Sequence, residues 1–156
     1  MAEIDPIPTG FHTVAPHLVV KGGAEAIDFY KAAFGAEEIY RLVDPNDGRV
    51  GHAELRIGSS MIMLADEYPD FGALGPASIG GSPVKLHLSV PDVDAMVARA
   101  IAAGATLVRA VADEFHGNRM GTIADPFGHQ WSIATQIERL TPAEMQRRWT
   151  AMLQGG

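Results

Sequence analysis

The chain has 156 residues, of which 47% are hydrophobic and 20% charged, with a formal net charge of −7 and no cysteine. This length fits one domain, or two small half-domains on a shared core, and the composition argues against a disordered chain. The acidic balance speaks against nucleic-acid phosphates as partners, and the missing cysteines exclude disulfides, thiolate metal sites and cysteine nucleophiles.

Met1 to Gly10 shows no basic region followed by an apolar run, and no stretch approaches the roughly 20 apolar residues of a membrane span. The expectation is a cytoplasmic protein with no membrane partner. Residues 14–20 read as a strand, with Leu18 and Val20 on one face and His17 on the other. Gly22 and Gly23 break it. Ala26, Ile27, Tyr30 and Phe34 follow at helical spacing up to a stop at Gly35. Glu38 to Asp44 reads as a second strand, and Asp44-Pro45-Asn46-Asp47-Gly48 as a turn. Val50 to Ile57 alternates, with Ala53, Leu55 and Ile57 on one face and His52, Glu54 and Arg56 on the other. Gly58-Ser59 turns the chain into an apolar strand, Met61 to Ala65. Glu67 to Pro83, rich in Gly and Pro, reads as a linker or a lid, because long structureless loops are uncommon inside compact domains.

The second half repeats this order. Lys85 to Val90 reads as a strand. Asp92 then caps a helix carrying Val93, Met96, Val97 and Ile101, which stops at Gly104. Strands follow at Leu107–Ala112, Arg119–Ala124 and His129–Thr135, the last entered through the turn Asp125-Pro126-Phe127-Gly128. Thr141-Pro142-Ala143-Glu144 has the form of a capping box opening a C-terminal helix with Met145, Trp149 and Met152. The tetrapeptide His17-Leu18-Val19-Val20 matches His87-Leu88-Ser89-Val90, and Arg49-Val50-Gly51 matches Arg119-Met120-Gly121. One folding unit is therefore used twice.

A tandem βαβββ repeat resembles the vicinal oxygen chelate superfamily, the glyoxalase/bleomycin-resistance/dioxygenase proteins, and its PhnB-like branch in particular. The resemblance is carried by Pro16-His17-Leu18-Val19-Val20, Ala26-Ile27-Asp28-Phe29-Tyr30, Phe34-Gly35-Ala36-Glu37-Glu38, His52-Ala53-Glu54-Leu55, Arg119-Met120-Gly121-Thr122 and Asp125-Pro126-Phe127-Gly128-His129, and spans roughly residues 12–138. It implies an α+β fold: two tandem βαβββ modules forming a cup-shaped mixed sheet with helices on the convex side, plus a C-terminal helix. The whole chain is then one domain, with module one at about 12–66, a linker at about 67–83, module two at about 84–138 and the last helix at about 141–153. It also implies a homodimer, with Trp149 and Met152 as part of the contact.

Metal-dependent members hold a divalent ion with side chains from the first and last strand of each module, and the ion acts on substrate oxygens as a Lewis acid. The corresponding positions here are Ala15, Met63, Lys85 and Ser132, none a good donor. This departure argues against the usual metal and predicts no cofactor. It leaves open zinc, iron, manganese or nickel at a shifted site formed by His17 and His87 with Glu54 or His52, against histidines that merely hydrogen-bond in a polar pocket.

The same face offers further candidates. His52 and Glu54, with Arg56 beyond, form an acid/base set or a solvated strand face. Lys85 binds an anion or merely pairs with Glu54, and Gln130 orients something polar. Met61 and Met63 make a soft wall or plain core. Arg119, at the end of Phe115-His116-Gly117-Asn118-Arg119, grips a carboxylate, or the segment is an ordinary hairpin. Trp131 reads as core or interface. There is no P-loop, dinucleotide fingerprint or Gly-x-Ser-x-Gly elbow. Three functions compete: a metal-free small-molecule binder, which the replaced donor positions favour; a metal-dependent lyase, isomerase or dioxygenase using His17 and His87; and a metal-independent enzyme using Glu54 and a histidine for proton transfer. The pocket expected is His17, His52, Glu54, Met63, Lys85, His87, Arg119, Gln130 and Ser132.

Overall fold

The computed structural model describes residues 2–155 and forms two compact units. The first contains the chain up to Pro83 together with Pro126–His129; the second contains Val84–Asp125 and the chain from Gln130 onward. In the first unit β1 (His17–Val20), α1 (Gly23–Phe34), β2 (Glu37–Val43), β3 (Val50–Ile57) and β4 (Ser60–Asp66) build a four-stranded sheet ordered β1-β4-β3-β2. The β1–β4 pair is parallel and the others antiparallel. After α2 (Pro76–Ile79), the second unit repeats the plan with β5 (Lys85–Ser89), α3 (Val93–Ala103), β6 (Thr106–Asp113), β7 (Asn118–Ala124) and β8 (Gln130–Gln136), ordered β5-β8-β7-β6. α4 (Pro142–Gly155) follows. The fold is thus α+β, from two tandem βαβββ modules with mixed sheets and a C-terminal helix. No helix among the described residues is long and apolar enough to cross a membrane.

Alternation along each strand decides which face is core. In the first unit Ala53, Leu55, Ile62 and Leu64 are buried beneath Ala26, Ile27, Tyr30 and Phe34 of α1, where an amphipathic helix covers the apolar face of a sheet. Phe127, from the turn that belongs to this unit, packs edge-on against Phe29 with ring centroids 6.2 Å apart. In the second unit Val93, Val97 and Ala100 of α3 are buried with Ile123, Trp131 and Ile133. The buried Trp131 indole donates to Asp125 Oδ2 at 2.9 Å, which removes the cost of hiding its N–H.

Asp66 ends β4 in the interior of the first unit. Its Oδ1 accepts from the backbone N–H of Gly22 at 2.9 Å and of Gly23 at 2.8 Å, and its Oδ2 from Val50 N–H at 2.8 Å. One carboxylate thereby fixes the entry to α1, the start of β3 and the end of β4. Gly22 takes φ 102°, open to glycine, and a Cβ on Gly23 would stand 2.7 Å from Asp66 Oδ2. In the second unit Thr135 holds the matching place: its Oγ1 accepts from Val93 N–H at 2.9 Å and donates to Val90 O at 2.8 Å. Asp92 caps α3 as expected, accepting from Ala95 N–H.

Several expectations are corrected. The first strand begins at His17, not at residue 14, because Pro16 has no N–H to give the ladder. Glu67 to Pro83, expected as a linker or a lid, carries structure that the periodicity did not indicate: Tyr68 pairs with Ala73, Pro69–Phe71 forms a 3₁₀ turn, and α2 follows. Glu67 anchors this segment by accepting from Gly75 N–H at 2.8 Å, and its carboxyl is lowered by Ser78 first and by Gly75 N–H next. The capping box is half-formed: Thr141 Oγ1 accepts from Glu144 N–H, but the Glu144 carboxylate is held by Arg147 and Arg148. The segment from Phe115 to Arg119 is a hairpin, the plainer of its two readings. Gly117 O accepts from Ile137 and Glu138, Arg148 donates to Phe115 O, and Trp149 packs on the Phe115 ring.

The Asp66→Ala change leaves two buried donors and one part-buried donor without an acceptor and should cost about 3 kcal/mol, whereas Thr135→Val should cost about 1 kcal/mol. Urea denaturation of both variants checks this order. Acid should act through Glu38, lowered to about 2 by Arg41 first and by Lys31 next. It acts less through the more exposed Glu144, lowered to about 2 by Arg147 and then Arg148, because solvent screens that ion pair. A depressed carboxyl stabilises the fold above its unfolded value of about 4.3, and that contribution is lost as pH falls toward the folded value. The urea midpoint should therefore drop between about pH 4.5 and pH 2 and recover on neutralisation.

Candidate functional site

Residues paired across neighbouring strands project to the same side of a sheet. On the face of the first sheet turned away from α1, register gives one row: His17 beside Met63, Met63 beside Glu54, and Glu54 beside Tyr40. His52, two residues before Glu54 on β3, shares that face. Tyr40 Oη donates to Glu54 Oε2 at 2.9 Å, and His52 Nε2 lies 3.2 Å from the same oxygen. A carboxylate only accepts, so Nε2 of His52 carries the proton. The His52 ring lies 5.9 Å from that of His17 and 5.9 Å from that of Tyr40. The Glu54 side chain is only 18% exposed.

Burial, and then the neighbouring His52, hold the His17 imidazole below its usual range. The Tyr40 phenol is pushed above its usual value, first by its hydrogen bond to Glu54. His17 is thus neutral near pH 7, a hydrogen-bonding group and not a fixed cation.

A concavity of about 410 Å³ lies against this face. Glu54, Met63 and Ala15 form its sheet side, and Pro6, Ile7, Pro8, Phe11, His12 and Thr13 complete its lining. The lining is apolar apart from one carboxylate, one imidazole and one hydroxyl, the composition of a small-molecule pocket. Met63 lines the concavity, while Met61 is buried with Gly10 beside it.

The second sheet carries an equivalent row. His87 pairs with Ser132, Ser132 with Thr122, and Thr122 with Arg109, while Lys85 pairs with Gln130. Arg109 is engaged by Glu114 at 3.0 Å. Arg119 departs from expectation. It alternates with Gly121 and Ile123 toward α3, and Asp94 and Asp113 hold its guanidinium at 2.8 and 2.9 Å. It ties α3 to the sheet and does not share the face of His87.

The metal positions implied by the resemblance do not fit an ion. Met63 stands beside His17 and Ser132 beside His87, so each first-strand histidine faces a thioether or a hydroxyl where a hard donor would be needed. Among the described residues no three His, Asp or Glu side chains gather in a way that could hold a metal.

Sequence reasoning overlooked Tyr40 and the segment from Pro6 to Thr13. Tyr40 could be found only through its register opposite Glu54. The signal for the segment was Pro6, Ile7, Pro8 and Phe11, a proline-apolar run that cannot be helical and needs a surface to cover. Replacing His52 by Gln should raise the His17 titration midpoint, since the electrostatic influence of the second imidazole is removed, but not fully to the usual value, since partial desolvation remains. NMR titration of the ring protons reads this; an unmoved midpoint contradicts the coupling.

Comparison with known proteins agrees with the geometry. Residues 10–133 match the family model of the Glyoxalase/Bleomycin resistance protein/Dioxygenase superfamily. An uncharacterized Mycobacterium bovis protein is 46% identical over 136 residues, covering 85% of this chain and 89% of that one. The X-ray structure of an Arabidopsis thaliana gene product superposes with TM-score 0.64 at 31% identity, over 80% of this chain and 98% of the other. A Bacillus cereus PhnB protein, described as a putative 3-demethylubiquinone-9 3-methyltransferase, shares the fold with TM-score 0.63 at 17% identity, over 80% and 99% of the two chains. With two βαβββ modules, a family match over most of its length and PhnB-like structural neighbours, the chain belongs to the glyoxalase/bleomycin resistance protein/dioxygenase superfamily.

Proposed function

We propose that this chain is a small-molecule-binding member of its superfamily that works without the usual divalent metal. The observation that carries this reading is the concavity of about 410 Å³, apolar but for a few polar groups, on a sheet face whose family metal positions hold Ala15 and Met63. The second unit supports it, with Lys85 and Ser132 at the corresponding positions: a cation repels an ion, and a lone hydroxyl is a poor ligand. Binding in such a pocket draws on apolar burial, while Glu54 and the histidines orient the ligand. Elemental analysis of the purified chain, before and after chelator, should find far less than one divalent ion per chain. About one zinc, iron, manganese or nickel ion per chain would overturn the metal-free reading in favour of the shifted His17, His87 and Glu54 site.

A second reading rests on the contact between His52 and Glu54. A protonated imidazole nitrogen 3.2 Å from a carboxylate that also accepts from Tyr40 is a proton-transfer set that needs no metal. If the chain turns over a compound from a metabolite mixture, monitored by NMR, Glu54→Gln should abolish that turnover and spare the binding of neutral ligands. The same proposal includes a cytoplasmic homodimer, with the half-exposed Trp149 and Met152 of α4 in the contact, which sedimentation velocity measures.

A further inference from the structure

We infer that the pocket of the first unit takes a cationic ligand, an amine on an apolar body, with Glu54 Oε1 as its anchor. This rests on the small-molecule reading above and names the ligand class. Tyr40 and His52 both bind Oε2 of Glu54, at 2.9 and 3.2 Å, and neither uses Oε1. The carboxylate is therefore held in place by two donors on one oxygen, while the other keeps its accepting capacity.

Among the described residues no Lys or Arg lines the concavity. The neighbouring cation on the same face of β3, Arg56, is directed to Glu37 at 3.6 Å. The mostly buried Glu54 carboxylate thus meets a phenol and an imidazole on one oxygen and no Lys or Arg among the described residues lining the concavity. Ile7, Pro8, Phe11 and Met63 offer apolar and aromatic surface, and the exposed His12 and Thr13 are the other polar side chains of the lining, neither a fixed cation. An ammonium supplies both donors and charge, and an aromatic wall adds cation–π attraction where a ring face is turned to it. A carboxylate ligand would meet Glu54 at close quarters, and a neutral hydroxyl would satisfy the acceptor but leave the charge uncompensated. The chain's net charge of −7 favours approach of a cation over an anion as well.

Three probes of matched shape separate these cases: 4-butylbenzylamine, 4-butylbenzyl alcohol and 4-butylbenzoate, titrated calorimetrically near neutral pH. The amine should bind about tenfold or more tightly than the other two, and Glu54→Gln should weaken the amine by about tenfold while leaving the alcohol unchanged. Thr13→Lys, at an exposed lining position, leaves the core untouched and brings in a competing ammonium; it should also weaken the amine selectively. Thermal denaturation of both variants verifies that they are folded. Alcohol or benzoate binding as tightly as the amine, or an amine affinity insensitive to both substitutions, overturns the cation assignment and leaves the small-molecule reading standing. Failure of all three probes to bind the unmodified chain removes both together.

Discussion

The first unit is organised around a single buried carboxylate. Asp66 accepts three backbone N–H groups that belong to the entry of α1 and the start of β3, and it does so from the end of β4. Helix N-termini and strand ends carry donors that no ladder satisfies, and a negative group at a helix start also meets the positive end of the helix dipole. Once that tie is made, the helix lies over the sheet's apolar side and the opposite side of β3 is left to His52 and Glu54. The position of the candidate site is thus a consequence of how the chain satisfies donors on the other side of the sheet.

The second unit solves the same problem with less. Thr135 stands where Asp66 stands in the repeat, accepts one N–H and returns its own proton to Val90 O, while Asp92 takes over the capping of α3. The two copies have also diverged on the sheet faces turned away from their helices. The row His17–Met63–Glu54–Tyr40 answers to His87–Ser132–Thr122–Arg109. Only the histidine is kept; a carboxylate in one copy is a hydroxyl in the other. A duplicated unit keeps the groups its backbone needs and is free to change those that face outward.

That freedom bears on the chemistry of the superfamily in this chain. A divalent ion needs several hard donors converging, and a methionine next to one histidine and a serine next to the other do not supply them. What replaces them in the first unit is a hydrogen-bonded carboxylate against an apolar wall. Such a group is suited to orienting a ligand or moving a proton, and less to holding an ion among partners that are already engaged.

The periodicities of the sequence were sufficient for the architecture. Strict alternation from Val50 to Ile57, helical spacing from Ala26 to Phe34, and the recurrence of His-Leu-x-Val are local patterns, and the backbone obeys them because each buries one apolar face. The composition of the site was only partly legible. His52 and Glu54 follow from alternation, but Glu38 and Tyr40, two residues apart, do not share a face: the register shifts between them, sending Glu38 to Lys31 of α1 and Tyr40 to Glu54. Arg119 was misplaced for the converse reason, since its partners Asp94 and Asp113 are distant in sequence. The sequence alone determined the repeat, the element order within each module and the poverty of metal donors at the positions the resemblance implies, since these depend on residue type and local period. Only the tertiary structure decided which oxygen of Glu54 is engaged, what Asp66 holds, and which surface the proline-apolar run of Pro6 to Thr13 covers, because bulges, long-range hydrogen bonds and the docking site of an aperiodic segment are not written in the chain's local pattern.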